Sequence, residues 1–240
     1  QGEIVVAWQQ SDGSNERIYR SVCSNGARDK QGAVSPSGED ASNPQVAVNG
    51  SGEVVVVWQQ SKTAIYMTRY SNAAWSAPVS VSFEGETTTT IPDEPRVAMA
   101  ENGRTVVIWQ QAGLIKKIEY DSGVLSTPVI VSQNNPGSSF TADFHSIAMD
   151  RTGNTIIVWR LFDGAFHRVY MNEYRDGSWA AVQAVSQAGY ETMDPQVAMD
   201  GNGNAVIVWL QGTGGAYRVF MCEYRRGAWS TPAAMRRTSE

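Results

Sequence analysis

The sequence predicts an all-β protein, a five-bladed β-propeller built from four-stranded antiparallel blades. Three observations support this prediction. Short runs of β-branched residues end in a tryptophan five times, at intervals of 50, 51, 50 and 50 residues, and a regular period of this length is typical of propeller blades. Turn residues separate these runs from neighbouring alternating strands. No stretch has the periodicity of an amphipathic helix.

Each repeat contains four predicted strands, which we name A, B, C and D in chain order. Strand B is the run that ends in tryptophan, and strand A precedes it across a turn rich in Gly, Asn and Asp. Such a turn needs positive φ angles, which these residues adopt most easily. Strand A is predicted at residues 44–49, 95–100, 145–150 and 195–200, and strand B ends at Trp8, Trp58, Trp109, Trp159 and Trp209.

Strand C follows strand B after a polar loop, and its alternation is clearest from Arg168 to Tyr174. A tight turn such as Arg175-Asp176-Gly177-Ser178 then leads into a short strand D. The first repeat has lost this turn motif between Gly26 and Gly32. The repeats extend approximately over residues 1–36, 37–82, 83–132, 133–186 and 187–240, and we expect them to form a single domain.

Strand A is missing from the first repeat, because the chain opens on strand B. Either one blade has three strands, or residues 236–240 partly replace the missing strand, or the chain is a segment of a longer array. The two cysteines, Cys23 and Cys222, lie in strand C of the first and last repeats. A disulfide between them would need Cα atoms within about 7 Å, and equivalent strands of adjacent blades are commonly further apart.

The composition argues against two classes of partner. The formal net charge is −5 and the isoelectric point is near 5.1, and no Lys/Arg cluster offsets this acidity, so no nucleic-acid partner is expected. The longest apolar runs have strand length, far below the roughly 20 residues of a membrane-spanning helix. We therefore expect no membrane insertion, and we expect a secreted or cell-envelope protein from a bacterium. The oligomeric state is left open.

The repeat has the order Pro-x-Val-Ala-x-Asp, a glycine turn, an apolar strand ending in Trp, and a Gly turn into Trp-Ser-x-Pro. This order resembles the blades of sialidase-type propellers over the whole chain. In that family the C-to-D turn carries the Asp-box, Ser-x-Asp-x-Gly-x-x-Trp, and the segment from Tyr174 to Trp179 is similar to a shortened form of it. The resemblance implies a propeller fold and, by analogy, a glycoside hydrolase activity.

Catalysis in the sialidase family uses an arginine triad, a tyrosine paired with a glutamate, and an aspartate. The first arginine lies in a Phe/Tyr-Arg-Ile-Pro motif. The nearest segment here, Thr89-Thr90-Ile91-Pro92, lacks both the aromatic residue and the arginine. A sialidase-like site in this chain would therefore be degenerate.

The upper rim, where the D-to-A and B-to-C loops meet, is the expected ligand-binding surface. Four acidic residues lie just before strand A, and in a closed ring they would form an acidic mouth suited to a hard cation such as calcium or to a cationic ligand. They are Asp93, Glu94, Asp143 and Asp194. The alternative is that they are solvated or accept hydrogen bonds from turn amides. No calcium-loop motif is present, and no cofactor is predicted.

Arg96 is the candidate contact for an anionic ligand, because it lies in strand A where other repeats have Gln45, Ser146 and Gln196. The five strand-B tryptophans, three of them followed by Gln-Gln, are candidate aromatic platforms for sugars. Alternatively, an apolar ring at a fixed blade position serves packing between blades. Strand C begins with a base in four repeats, for which we expect salt bridges between blades. These bases are Arg17, Lys117, Arg168 and Arg218.

The near-identical repeats bear on function, because catalysis needs different groups that converge whereas multivalent binding tolerates repetition. The sequence therefore predicts a non-catalytic recognition propeller that binds glycan or protein at the upper rim. Two alternatives stay open. One is a sialidase-like glycoside hydrolase with a degenerate site, and the other is a structural module of a longer repeat array.

Overall fold

The computed structural model describes residues 4–24, 27–28, 31–82, 90–132, 141–212 and 215–235. The regular elements in these ranges are β-strands, and they form five antiparallel sheets. Within the same ranges, no helix is long and apolar enough to cross a membrane. The predicted all-β class and the five blades are confirmed. We number the blades 1 to 5 in chain order.

Blade 1 contains β1 (Ile4–Ser11), β2 (Glu16–Ser24), β3 (Ala27–Arg28) and β4 (Gly32–Ala33). Blade 2 contains β5 (Ala41–Val48), β6 (Val54–Gln60), β7 (Ala64–Ser71), β8 (Ala74–Trp75) and β9 (Val79–Ser80). Blade 3 contains β10 (Asp93–Met99), β11 (Thr105–Gln111), β12 (Leu114–Asp121), β13 (Val124–Leu125) and β14 (Val129–Ile130). Blade 4 contains β15 (Ala142–Met149), β16 (Thr155–Phe162), β17 (His167–Arg175), β18 (Ser178–Trp179) and β19 (Gln183–Ala184). Blade 5 contains β20 (Thr192–Met199), β21 (Ala205–Gly212), β22 (Tyr217–Arg225), β23 (Ala228–Trp229) and β24 (Ala233–Ala234).

Strand D is divided into two short pieces, and both pair with strand C of the same blade. In blade 4, β18 pairs with the end of β17 and β19 pairs with its middle. Blade 1 keeps both pieces as β3 and β4, although its sequence lacks the turn motif. Among its described residues, however, blade 1 has no counterpart of strand A. One blade is therefore shorter than the others, as predicted.

Serine hydroxyls complete the hydrogen bonding where strand D breaks. In blade 3 the Oγ of Ser126 accepts the N–H of Glu119 at 3.0 Å, and the Oγ of Ser132 accepts the N–H of Ile115 at 2.9 Å. Both N–H groups would otherwise lack a partner in the interrupted ladder, and burying an unpaired amide is costly. The serines that correspond to Ser132 are Ser35, Ser82 and Ser186.

The C-to-D turns have consecutive residues at positive φ, as in Asp176 (50°) and Gly177 (81°). This is the twist of a two-residue type I′ hairpin. The A-to-B turns combine a glycine at positive φ, such as Gly153 at 98°, with a side-chain acceptor. In blade 4 the Oδ1 of Asp150 accepts the N–H groups of Thr152 and Asn154 at 2.8 and 2.9 Å. The predicted hairpin chemistry is confirmed in both turns.

Strand A begins two or three residues earlier than predicted, because the ladder continues upstream of a bulge for one or two further residue pairs. The register shifts between Asp143 and Ser146, and equivalent shifts occur in blades 2, 3 and 5. One non-glycine residue in each bulge has a φ between 48° and 53°. A proline follows it in three of the four blades, where the missing N–H removes no ladder bond. The left-handed residues are Asn43, Glu94, Phe144 and Asp194.

The chain forms two compact units. The first holds blades 1 and 2 with most of blade 3, up to Ala112 and again over Lys116–Val129. The second comprises Gly113–Ile115 and Ile130–Glu240, and thus holds blades 4 and 5. The arrangement of the repeats in a single domain stays a prediction.

Within each unit, neighbouring blades pack through two kinds of apolar face. We call the side of strand B that bears its tryptophan the leading face, and the opposite side the trailing face. In the second unit, Ile156 and Val158 on the trailing face of blade 4 cluster with Ile207 and Trp209 on the leading face of blade 5. Full burial of each such aliphatic side chain contributes about 1.5–3 kcal/mol. In the first unit, Val5, Ala7 and Ile18 pack in the same way on Val54, Val56 and Trp58.

Candidate functional site

Four of the five strand-B tryptophans are buried and are therefore not ligand platforms. Trp58, Trp109 and Trp159 have no exposed surface and Trp209 has 1%, while Trp8 is half-buried. The four buried indoles pack between strands and blades. For these four residues the interpretation as interblade packing is correct, and the interpretation as sugar platforms is wrong. Stacking on the strand-C partner fixes the rings, as between Trp58 and Tyr66, whose centroids are 6.1 Å apart.

The glutamines after the tryptophans have a structural role. The indole Nε1 of Trp58 donates to the Oε1 of Gln60 at 2.7 Å, and the same bond joins Trp209 to Gln211 at 3.0 Å. Because a buried indole N–H needs an acceptor, the glutamine two residues after the tryptophan satisfies the buried indole. Blade 4 is the exception. Leu161 occupies this position, and the Nε1 of Trp159 has no hydrogen-bond partner among the described residues.

The predicted rim acids of the first unit bind protein groups. The Oδ1 of Asp93 accepts the Nδ2 of Asn43 in blade 2 at 2.9 Å and the N–H of Glu94 at 2.7 Å. Asp93 therefore joins two blades and caps its own bulge.

Arg96, the predicted contact for an anionic ligand, is half-buried, and its Nη1 donates to the carbonyl of Pro95 at 3.1 Å. A contact from Arg96 to an anionic ligand stays a prediction.

The predicted rim acids of the second unit act on Arg160, a residue that the sequence did not indicate. The carboxylate of Asp143 accepts the Nε and Nη2 of Arg160 at 2.7 and 2.6 Å. The guanidinium carbon lies 4.5 Å from the ring centroid of Phe144. The hydrogen bonds to Asp143, and then the negative charges of Asp143, Glu191 and Asp194, raise the pKa of Arg160. The charges of Asp143 and Asp194 thus both act on this one cation.

A second polar pair continues this cluster from blade 4 to blade 5. The Nδ1 of His167 lies 2.6 Å from the Oε1 of Glu191, and the backbone N–H of His167 donates to the Oε2 of Glu191 at 3.0 Å. The imidazole packs on Phe162, with ring centroids 5.1 Å apart. One carboxylate therefore fixes both the backbone and the side chain at the start of β17, and it links the B-to-C loop of blade 4 to the D-to-A loop of blade 5.

Three exposed aromatic side chains accompany these polar groups. Phe144 is 44% exposed, Tyr190 is 41% exposed and Phe166 is 36% exposed. Phe144 stacks on Arg160, Phe166 precedes His167 and Tyr190 precedes Glu191 in the chain. Exposed rings beside fixed hydrogen-bonding groups are typical of binding sites. We call the set Asp143, Phe144, Arg160, Phe166, His167, Tyr190, Glu191 and Asp194 the blade 4–5 rim.

The electrostatic balance of this rim is negative. Arg160 pairs with Asp143, and Arg168 lies 4.0 Å from Asp163 in the adjoining B-to-C loop. Backbone N–H groups, first that of Phe166, lower the pKa of Asp163 and keep it ionised. Glu191 and Asp194 are additional carboxylates. The site therefore favours neutral or cationic groups over anionic ones.

Two of the four bases at the start of strand C form ion pairs within their own blade and not the expected salt bridges between blades. Arg168 donates from Nη2 to the carbonyl of Ser186 at 2.5 Å, and Arg17 makes the same bond to Ser35. Their ion pairs, with Asp163 and Asp12, also lie within the same blade. The expectation is wrong for these two residues because the guanidinium reaches strand D of its own sheet.

Metal and redox sites find no support in the described part of the chain. No group of three or more His, Cys, Asp or Glu side chains is arranged there to hold a metal ion. A calcium ion at the rim stays a prediction. Cys23 and Cys222 are both free thiols.

The signal that marks the blade 4–5 rim is departure from the repeat. Arg160 stands where blades 1 to 3 have glutamine, and Phe144 stands where the other bulges have Asn, Glu or Asp. His145 likewise replaces the proline of the other three blades. Because a repeat explains what is shared, residues that break it at one rim are candidates for function.

No protein-family model and no curated protein matches the sequence. Solved structures do match. An ulvan lyase of polysaccharide lyase family PL25, bound to GlcA(1-4)Rha3S, has a TM-score of 0.61 and 13% identity over 95% of this chain and 68% of that chain. A protein of unknown function from Dyadobacter fermentans has a TM-score of 0.55 and 11% identity over 92% of this chain and 75% of that chain.

An α-L-arabinanase from Penicillium chrysogenum, complexed with arabinobiose, has a TM-score of 0.53 and 10% identity over 80% of this chain and 66% of that chain. Both enzymes are β-propellers. At such identities the similarity establishes the fold alone. The chain is similar to these proteins in architecture, and it therefore has the β-propeller fold with five antiparallel blades, the first of them shorter than the rest.

Proposed function

We propose that this protein is a non-catalytic recognition protein that binds a glycan at the blade 4–5 rim. The observation that carries the proposal is the exposed Phe144 ring beside the guanidinium of Arg160. A flat ring offers its face to the C–H groups of a pyranose, and a fixed guanidinium donates hydrogen bonds to hydroxyl groups.

The fixed geometry of Arg160 supports this role. Asp143 binds the Nε and Nη2 groups of Arg160. The remaining Nη1 group has no hydrogen-bond partner among the described residues, and it can therefore donate to a ligand. The side chain is only 12% exposed, so little conformational entropy is lost when it binds a ligand. His167 and Glu191 supply further polar groups a short distance along the same rim.

The charge of the rim favours a neutral glycan over a uronate or sulfated one. Asp143 already neutralises Arg160, and Glu191 and Asp194 add negative charge around it. A ligand carboxylate would meet this charge at short range, which costs binding free energy. The similar structures bound to GlcA(1-4)Rha3S and to arabinobiose are glycan complexes, one with an acidic sugar and one with a neutral sugar. We expect this chain to resemble the second case.

A glycan array tests the proposal. The decisive variant is Phe144→Asn, because the equivalent bulge in blade 2 carries Asn43 at a φ of 53° and the backbone should be kept. We expect the variant to lose at least about tenfold in affinity, which corresponds to ~1.4 kcal/mol. Glu94→Asn makes the same change in blade 3 and should bind like the wild type. Equal binding by the wild type and Phe144→Asn would contradict the proposed site.

Further assays distinguish glycan recognition from the alternative functions, which are a sialidase-like hydrolase, a protein-binding propeller and a structural module. Turnover of fluorogenic glycosides that disappears in Arg96→Ala would favour a sialidase-like hydrolase. Silence in both the array and the glycoside assay would leave a protein ligand or a structural module of a longer array. We also propose that the protein is secreted or located in the cell envelope, which fractionation of the native cells would test.

A further inference from the structure

The contact that joins the loops of blades 4 and 5 also occurs between blades 1 and 2. The backbone N–H of Glu16 donates to the Oδ1 of Asp40 at 3.0 Å, as the N–H of His167 donates to Glu191. Both pairs are 24 residues apart, and both begin eight residues after a strand-B tryptophan. The two contacts are therefore equivalent, and the residues around them can be compared position by position.

The side chains beside this shared contact differ between the two blade pairs. Where blades 1 and 2 have Asn15 and Glu39, blades 4 and 5 have Phe166 and Tyr190. The contact thus forms without aromatic neighbours, and the fold does not need these two rings. They are nevertheless 36% and 41% exposed. Exposed apolar groups that the fold does not require indicate a surface that a ligand covers.

His167, the residue after Phe166, adds a hydrogen-bond acceptor to this surface. Its Nδ1 lies 2.6 Å from the Oε1 of Glu191. Because a carboxylate only accepts hydrogen bonds, Nδ1 carries the proton, and the neutral ring is left with Nε2 as an acceptor. The Nε2 atom has no partner among the described residues, and the side chain is 32% exposed. A sugar hydroxyl can therefore donate to it.

These groups lie one step along the rim from Arg160. Arg160 and Phe162 are two residues apart in β16, so they share one face of the strand and are separated by about 6.6 Å along it. Phe162 is the cross-strand partner of His167, and their ring centroids are 5.1 Å apart. A step of this size is comparable to the separation of neighbouring sugar units in a chain. The two polar groups can therefore contact consecutive units.

We propose that the blade 4–5 rim has two adjacent sugar subsites, and that its ligand is a neutral oligosaccharide of at least two units. The first subsite is Phe144 with Arg160, and the second is Phe166 and Tyr190 with His167. Arg160 offers a donor and His167 an acceptor, so the two subsites hold their units by hydrogen bonds of opposite polarity. This inference rests on the proposed glycan function and adds the length of the ligand.

Calorimetry with sugar chains of different length tests the second subsite. The probes are the neutral oligosaccharide with the strongest signal on the glycan array and its shortened forms down to the single unit. The wild type should bind two units at least about tenfold more tightly than one. Phe166→Asn and Tyr190→Gln should each reduce this gain at least about threefold. Both should bind the single unit like the wild type, because Phe144 and Arg160 remain.

Two controls accompany these variants. Phe166→Asn introduces the residue type that blade 1 carries as Asn15, so the loop should keep its backbone, which thermal melting checks. Tyr217→Asn removes a 51% exposed aromatic ring at the start of β22, outside the blade 4–5 rim. It should keep the full gain from the second unit.

Failure of this inference and failure of the proposed function give different results. Equal affinity for one and two units, with binding still weakened by Phe144→Asn, would overturn the second subsite and leave the proposed function intact. The same conclusion follows if Phe166→Asn and Tyr190→Gln both keep the full gain. Silence on the array, or wild-type binding by Phe144→Asn, would overturn the proposed function and this inference together.

Discussion

The carboxylate of Asp143 holds the guanidinium of Arg160 by two hydrogen bonds of 2.7 and 2.6 Å, directly across strands A and B of blade 4. Bidentate pairs of this kind are strong and fix the plane of the guanidinium. Blade 3 has Asp93 at the same position as Asp143, yet its cross-strand partner is Gln110 rather than an arginine. The pair is therefore a feature of one blade and not of the repeat.

Asp143→Asn should change the ligand preference of the rim. The variant removes the carboxylate that is paired with Arg160, so the guanidinium attracts a uronate more strongly than it does in the wild type. We expect the ratio of uronate to neutral-glycan affinity to rise about tenfold, measured by calorimetry with oligosaccharides of equal length. Asp93→Asn is the matched control and should leave the ratio unchanged. An unaltered ratio in Asp143→Asn would show that ligands do not contact Arg160.

The indole–glutamine bond predicts opposite behaviour of two blades. Gln60→Leu removes the acceptor from the buried indole of Trp58, and we expect a loss of about 1–3 kcal/mol in the free energy of unfolding. Leu161→Gln makes the reverse change in blade 4, where Trp159 lacks an acceptor. The new hydrogen bond should offset the lost apolar burial, leaving stability within about 1 kcal/mol of the wild type. Urea denaturation of both variants measures the difference, and equal losses would contradict this role of the glutamine.

A backbone strain in blade 2 predicts a stabilising substitution. The turn between β7 and β8 places Ala73 at a φ of 61°, whereas the equivalent residue in blade 4 is Gly177 at 81°. A left-handed conformation costs an L-residue roughly 1–2 kcal/mol. Ala73→Gly should therefore raise the free energy of unfolding by about 0.5–1 kcal/mol after the entropy of the unfolded chain is counted, and Gly177→Ala should lower it. A destabilised Ala73→Gly would mean that its methyl group has a packing role.

The two cysteines should differ in reactivity. Burial raises the pKa of Cys222 to about 12, so at pH 8 only about one thiol in 10,000 is ionised, and the thiolate is the reactive species. Cys23 is only half-buried. A thiol reagent should modify one cysteine per native chain and two per denatured chain, counted by mass spectrometry. Modification of neither thiol in the denatured, unreduced protein would reveal a disulfide and contradict the free thiols seen here.

The blade architecture could be predicted from the sequence because each element depends on local chemistry. The Gly/Asn/Asp turns, the alternation of Arg168 to Tyr174 and the period between tryptophans report strands and hairpins directly. The start of strand A was harder to predict. Pro44, Pro95 and Pro195 are typical of a strand boundary, and only the left-handed residues before them, such as Asn43, allow pairing to resume upstream.

The candidate site was predicted only in part, since it depends on contacts between distant segments. The sequence indicated the rim and named Asp143 and Asp194. The sequence around Arg160 does not show that Asp143 is its cross-strand partner, so the ion pair could not be predicted. The tryptophans were ambiguous for the same reason. Burial between blades, which removes them from the surface, is a property of the assembled sheets.

The four bulges of strand A also bear on how such a protein can diversify. Asn43, Glu94, Phe144 and Asp194 share one backbone conformation although their side chains differ in size, charge and polarity. The surrounding ladder, rather than the residue itself, imposes that conformation. A mutation at this position can therefore alter what a blade displays at the rim while the blade keeps its register. A library randomised at these four codons would sample new specificities on an unchanged scaffold.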